Sequence, residues 1–391
     1  MTTPQSQPGV TSLATSQTRH LEPVPPAPQQ PEPLTELAAW LGKYIKTAHE
    51  DDLHTLTLWV VHTHLLQELA TTPRLLLDSP VPGSGKTTVL DHFLRLCHQP
   101  VSAAALSSAA LLARILAKEP RTILIDEAEK SLSPKKDGRD DMLAILNSGY
   151  RKGGSRPVLV QDKEQNWKME EMSTHGAVAM AGNSPDLPED TQQRSIRVLL
   201  LPDHAGTVLD SDWEEIEADA KELQARIALW ADQQRPHIRN ARPVMPDNLK
   251  GRNREKWKPL LKVAWLAGDK WPQVCTHLIM NDLNDQAADR EAGMNRLPRH
   301  VTLINDIRQA WPKGETFFAT QDMLSAIKVS SPYMWTSQHE YGDLTIQGMG
   351  RMLVKHYNIR AERERGAERR RGYFLSQFKP AWDALGHTPS K

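Results

Sequence analysis

The run Arg74-Leu75-Leu76-Leu77-Asp78-Ser79-Pro80-Val81-Pro82-Gly83-Ser84-Gly85-Lys86-Thr87-Thr88 reads as a short apolar strand, a glycine-bearing turn and the first turn of a helix. The three leucines at 75–77, within a short strand signal over 74–78, suit a strand buried on both faces. Gly83 and Gly85 let consecutive backbone N–H groups converge on one point, and a helix starting near Thr87 brings its partial positive charge to the same point. That combination is suited to phosphate. Pro82, Gly83, Ser84, Gly85, Lys86, Thr87 and Thr88 are therefore the candidate nucleotide-binding residues. Lys86 is placed to reach β- and γ-phosphates, and the Thr87 hydroxyl to ligate the Mg²⁺ of bound ATP. One position departs from the G-x-x-x-x-G-K-T pattern. Its first glycine is Pro80 here, which stiffens the start of the loop and leaves the phosphate-cradling part intact.

Working outward, strands are expected over 101–105, 122–126, 176–181 and 195–201, with helices over 87–96, 107–118 and 140–150 between them. Alternating helices and continuous apolar strands predict an α/β fold with a parallel sheet covered on both faces. Ile123-Leu124-Ile125-Asp126-Glu127 is an apolar strand ending in two acids. Acids also begin helices for electrostatic reasons, but this pair lies at the right remove from the phosphate loop. Asp126 is the second candidate metal ligand, and Glu127 the candidate that polarises an attacking water. Asn183 closes the next apolar strand, where it could orient that water; an Asn in a turn is also routine. Arg194 follows eleven residues later (194 − 183), in a segment that resembles the one where AAA+ proteins carry an arginine finger. Arg197 is the alternative, and a surface salt bridge is the plain reading of either.

Composition bounds the rest. A length of 391 residues exceeds one core, so at least two domains are expected. Lys+Arg and Asp+Glu are 48 each, which excludes a globally basic nucleic-acid binder but not a local basic patch. Cys97 and Cys275 are the two cysteines, too few and too far apart for a disulfide framework or a cysteine zinc site; a reducing compartment, the cytoplasm, is the expectation. The sequence holds no apolar run long enough to span a membrane. Residues 1–33 hold eight of the 28 prolines and read as a disordered arm. Helical periodicity follows over 34–45 and 53–69. His62 and His64, two apart on a helix, face different sides and read as core histidines rather than a metal pair. The expected segments are helices packing on the core over 34–70, the nucleotide-binding core over 71–203, a helical lid over 204–297, a further domain over 298–386 and a tail over 387–391.

Two segments suggest nucleic acid. Residues 157–172 read as a β-hairpin with a polar tip. In superfamily three helicases a hairpin at this chain position grips single-stranded DNA, and Lys163 and Lys168 would make such contacts here. Helices over 301–311, 320–327 and 344–357 and strands over 358–362 and 371–375 follow the order of a winged helix. The last helix would present Gln347, Arg351 and Lys355 on one side. The hairpin after it carries Arg360, Arg363, Arg365, Arg369, Arg370 and Arg371 against three Glu, a local footprint of the kind phosphate backbones attract.

Several motifs occur in order: Trp59-Val-Val-His62-Thr63-His64, Thr71-Thr-Pro-Arg74, Pro82 to Thr87, Leu124 to Ala128, Leu146-Asn147-Ser-Gly149-Tyr-Arg151, Gly182-Asn183, Arg194-Ser195-Ile196, Arg252 ahead of Trp257-Lys-Pro259-Leu260-Leu261, and Gly372-Tyr373 before Phe378 and Trp382. Over about residues 50–386 they resemble an actinobacterial and phage P-loop ATPase family catalogued as a domain of unknown function and related to primase-helicase modules. The resemblance implies an AAA+-like ATPase with a C-terminal winged helix. It also implies a homo-oligomeric ring, most simply a hexamer, acting on DNA in phage or mobile-element replication. Arg252 would then be a second sensor of the γ-phosphate. The rival from another class is an ATP-gated switch or scaffold that moves no strand. A small-molecule kinase is a third reading, which Glu127 argues against.

Overall fold

The computed structural model describes residues 32–102, 108–161, 165–291, 298–337, 342–364 and 369–385. Most of the arm expected over 1–33 lies outside them, as do Lys163, Arg365 and the tail. Pro33 already opens a helix. The chain divides into two compact units, 1–282 and 283–391.

The first unit runs α1 (Pro33–Tyr44), α2 (Asp52–Thr63), β1 (Arg74–Ser79), α3 (Lys86–Leu96), β2 (Pro100–Ser102), α4 (Ala109–Lys118), β3 (Thr122–Ile125), α5 (Ala128–Ser131), α6 (Arg139–Ser148), β4 (Ser155–Gln161), β5 (Trp167–Ser173), β6 (Ala177–Asn183), α7 (Glu189–Gln192), β7 (Ser195–Leu199), α8 (Trp213–Ile238), α9 (Gly251–Ala267) and α10 (Trp271–Glu291), the last continuing past residue 282. Five strands form a parallel sheet in the order β2-β3-β6-β1-β7. Each neighbour of β1 and β3 arrives by a helical crossover, as parallel pairing requires. The fold is α/β with the P-loop after a central strand, in the strand order of AAA+-like cores. Every residue of β1 and β3 is buried, and β6 is buried up to its last position, Asn183.

The two faces of the sheet are covered by different helices. Leu76, Ile123, Ile125, Val178 and Met180 pack with Leu112 and Leu116 of α4 and Met142 and Leu146 of α6. Residues of opposite parity face α3, whose Phe93 stacks on Trp59 of α2 at 5.3 Å. Helices α1 and α2 pack on each other and on α8 and α9. Arg226 pairs with Glu36 at 2.5 Å, Arg235 with Glu68 at 2.8 Å, and the Trp271 indole donates to Glu32 at 3.1 Å. The helices expected as separate segments before and after the core therefore share one layer as far as residue 282.

His62 and His64 are core residues. Nδ1 of His62 donates to the Trp59 carbonyl and Nε2 accepts from the Thr72 hydroxyl at 2.9 Å; His64 Nε2 donates to the Leu96 carbonyl at 2.8 Å. Burial pushes His62 down to about 3 and His64 to about 4, so both are neutral. Helix α2 stops at Thr63, short of the expected 69.

The second unit contains α11 (Arg299–Ala310), β8 (Phe317–Ala319), α12 (Thr320–Ser330), α13 (Pro332–Trp335), α14 (Ile346–Tyr357), β9 (Glu362–Arg363), β10 (Arg371–Phe374) and α15 (Leu375–Ala384). The sheet β8-β10-β9 is antiparallel. Helix, strand, two longer helices and a closing hairpin follow the winged-helix order. Short β8 and helices α13 and α15 are additions that the sequence reading lacked. Trp335, Tyr373, Phe378 and Trp382 centre the core. Gly372 is required by crowding, since a Cβ there would lie 2.3 Å from the Phe318 carbonyl oxygen.

Candidate nucleotide site

Three central strands deliver the candidate residues to one edge of the sheet. Strand β1 ends at Ser79, directly beside Asn183 of β6 in the parallel register, and β3 pairs with β6 on its other side. Ligands of open parallel sheets bind outside these carboxyl ends. Gly83 (φ +74°) and Gly85 (φ +81°) are left-handed, and a Cβ on either would meet nothing within 4 Å. Glycine is thus demanded by backbone conformation rather than by crowding. Pro80 is exposed, and the Ser79 hydroxyl clamps the turn around it through the Val81 N–H at 3.2 Å and the Val81 carbonyl at 2.8 Å. The departure from glycine is absorbed there. Gly85 caps α3, and Lys86 begins it.

Lys86 Nζ donates to Asn183 Oδ1 at 2.8 Å, the Ser84 hydroxyl at 2.9 Å and the Val81 carbonyl at 3.4 Å. All three acceptors are neutral, so an anionic phosphate oxygen is the stronger partner. The Thr87 hydroxyl lies 3.3 Å from Asp126 Oδ2. Two hard oxygen donors at this spacing, one anionic, fit a small dication such as Mg²⁺. Glu127 caps α5 with φ +49°, a strained conformation for a residue with a Cβ and one that concentrates at functional sites. Its N–H donates to Asp126 Oδ1 at 2.8 Å, and its carboxylate accepts from Lys130 Nζ at 2.5 Å. Glu127, mainly by hydrogen bonding, raises the Lys130 pKa.

A cavity of about 270 Å³ opens beside the loop, lined by Tyr44, Ile45, Thr88, Leu201, Val208 and Leu209 among others. The Leu209 N–H to Lys43 carbonyl bond at 2.7 Å ties its two sides together. The pocket joins chain segments more than 150 residues apart, so no local sequence pattern marks it.

The candidate arginines lie elsewhere. Arg194 immediately precedes β7, and its carbonyl accepts the Arg74 N–H at the amino end of β1. That end is about 17 Å, five strand steps, from the loop. The Arg194 guanidinium is bound by the Asp190 carboxylate and carbonyl, lies 5.8 Å over the Tyr150 ring, and leaves the side chain 13% exposed. Within its own chain the guanidinium is therefore held as an internal brace. Arg252 sits in the same cluster, 3.6 Å from Asp190 and 3.9 Å from Glu255. Its partners are thus Asp190 and Glu255 rather than the side chains of the phosphate loop. Arg197 is the more exposed arginine, at 61%, and pairs with buried Asp78 at 2.7 Å on the loop side.

In the hairpin, Leu159 faces Met169 and Gln161 faces Trp167. Leu159, Trp167 and Met169 form an outer face and are 60%, 67% and 68% exposed. Lys168 lies opposite Val160, on the other face. In the second unit, Met349 and Leu353 of α14 are buried while Gln347, Arg351 and Lys355 share its exposed side. Arg371 pairs directly with Arg363 across β9–β10, a juxtaposition of like charges that an anion would relieve. Arg369 is exposed with φ +46°, and Arg370 is answered by Glu364 at 2.9 Å.

The family model described as "Protein of unknown function (DUF3631)" matches residues 206–385. That span begins after the phosphate loop and its partner strands. An uncharacterized 28.9 kDa protein from the xis 5′ region of Saccharopolyspora erythraea is 28% identical over 162 residues, 41% of this chain. The chain spans 58% of that relative's length. The C-terminal region of NrS-1 in its apo form is similar at 11% identity and a TM-score of 0.41, over 91% of this chain and 79% of the other. A JCV helicase is similar at 17% identity and a TM-score of 0.30, over 52% and 55%. Aeropyrum pernix Orc1 in complex with DNA is similar at 13% identity and a TM-score of 0.28, over 91% and 97%. Similarity at these levels fixes neither substrate nor partner.

Sequence reasoning missed the side pocket, the exposed Trp167 face and Glu129, which touches Asn183. Only Glu129 carried a local signal, being two residues beyond Glu127 on the helix that Glu127 caps.

Proposed function

We propose that the chain hydrolyses ATP and couples the reaction to DNA as an oligomeric motor. The observation that carries this is the convergence of Lys86, the Thr87–Asp126 pair, Glu127 and Asn183 at the carboxyl ends of three adjacent parallel strands. Phosphates of ATP would lie against the N–H groups of 83–87, with Lys86 exchanging neutral oxygens for phosphate oxygens. The side pocket beside Thr88 would take the nucleoside, its Leu201, Val208 and Leu209 against the base. Mg²⁺, when bound by Thr87 and Asp126, would supply charge neutralisation for the departing phosphate oxygens. Glu127 would accept the proton of the attacking water, and Asn183 would help to orient it.

DNA coupling is supported by two surfaces. Trp167, Met169 and Leu159 offer an exposed apolar face on which bases can stack, with Lys168 on the reverse; Lys163 remains a candidate by sequence. Arg351, Lys355, Arg369, Arg370 and Arg371 offer cations to a phosphate backbone. Ring assembly would let the Arg194–Arg252 end of one sheet meet a neighbour's phosphates, provided the Asp190 pairing opens. Homo-oligomerisation is thus part of the proposal, as is a replication role. The switch reading draws on the Glu127–Lys130 pair, which suits slow turnover.

Phosphate release from ATP with and without Mg²⁺ tests the hydrolytic reading. Wild type should turn over only with Mg²⁺, and Lys86→Ala should lose nucleotide binding by tenfold or more, roughly the worth of one charge-assisted bond. Equal nucleotide affinity in Lys86→Ala would refute the site.

A further inference from the structure

Glu129 has no part in the scheme above, yet it holds Asn183 by both of that residue's N–H groups. The backbone N–H donates to Oε2 at 3.1 Å and the side-chain Nδ2 to Oε1 at 3.4 Å. An Asn amide has one donor end and one acceptor end. With Nδ2 committed to Glu129, Oδ1 faces the other way and accepts from Lys86 Nζ at 2.8 Å. The neighbouring residue is built around the same carboxylate. A Cβ on Gly182 would stand 2.8 Å from Glu129 Oε2, 3.2 Å from Pro185 and 3.3 Å from Ala128. Glycine thus leaves room for Glu129 to reach the end of β6.

Resting on the hydrolytic reading, we propose that Glu129 is a positioning residue for the reaction. It fixes the Asn183 amide with its acceptor oxygen toward Lys86 and the reacting phosphate, so that the face offered to the lytic water accepts a hydrogen bond. In Glu129→Gln the side chain keeps its shape, but one of its two acceptors becomes an NH₂. The substituted side chain can then accept from the Asn183 backbone N–H or from Nδ2 but not from both, so the amide loses one of the two bonds that fix its orientation while Lys86 still calls for its oxygen. Glu127, by contrast, acts on the water directly and touches neither end of Asn183 in this arrangement.

A double-mutant cycle with Asn183→Ala tests the coupling. Glu129→Gln should lower kcat roughly 10- to 100-fold with KM changed by less than about threefold. In the Asn183→Ala background the same change should cost less than about twofold. Equal losses in both backgrounds would overturn the proposal. A second arm needs no turnover. In protein labelled with ¹⁵N-asparagine, the Asn183 backbone and side-chain amide signals, identified by their loss in Asn183→Ala, should shift in Glu129→Gln and stay in Glu127→Gln. Unmoved signals in Glu129→Gln would also overturn it. Absence of wild-type phosphate release would strike the hydrolytic reading first, and the amide signals would then decide the Glu129 contact on their own.

Discussion

At the residue scale, each catalytic candidate is held by a partner that chemistry must displace. Lys86 is on Asn183, and Glu127 is on Lys130. Lys130 is exposed and competes with water for the Glu127 carboxylate. Lys130→Met should therefore raise basal phosphate release, by roughly two- to fivefold for an exposed ion pair worth at most about 1 kcal/mol. An unchanged or lower rate would show that Lys130 does not restrain Glu127. Lys86, Thr87, Asp126 and Glu127 were legible in the sequence because they sit in contiguous motifs with fixed geometry. Arg194 and Arg252 were not, since whether an arginine projects or folds back depends on Asp190, Tyr150 and Glu255. Two of those contacts are local, but Arg194 to Tyr150 and Arg252 to Asp190 join positions 44 and 62 residues apart (194 − 150 and 252 − 190).

Strands and helices of the core were legible to within a few residues, because buried parallel strands are continuous apolar runs and each helix buries one face. Less legible were the additions to the second unit. Strand β8 has three residues and α13 four, too short for any period to show. At this scale the hairpin carries the sharpest prediction. Trp167→Ala should weaken binding of single-stranded DNA roughly 5- to 100-fold, the worth of stacking one base. Since Trp167 is 67% exposed, the urea midpoint should stay nearly the same. Unchanged DNA affinity, or a large loss of stability, would remove the hairpin from the nucleic-acid surface.

For the whole molecule, buried neutral histidines set the response to acid. Burial holds His62 at about 3 and His64 and His92 at about 4, all below their unfolded value of 6.5. Between those values the unfolded chain binds protons that the folded chain does not. Stability is complete above pH 6.5 and falls as pH drops toward 4, by about 1.4 kcal/mol per histidine per pH unit. Urea unfolding at pH 7.5 and 5.5 should therefore differ by about 4 kcal/mol for the three together. A flat profile would mean that these rings accept protons without unfolding. Domain layout was only partly readable: at least two domains were expected, with 34–70 and 204–297 as separate segments, and a pairing such as Arg226 with Glu36, 190 residues apart, leaves no local pattern to join α8 to α1.

The central claim is that this site hydrolyses ATP in response to DNA. Its most direct test is phosphate release from ATP-Mg²⁺, with and without single-stranded DNA, for wild type and Glu127→Gln. Turnover should be stimulated severalfold by DNA and abolished by Glu127→Gln while nucleotide binding persists. Turnover indifferent to DNA would contradict the motor and favour the switch. Undiminished turnover in Glu127→Gln would contradict the assigned chemistry.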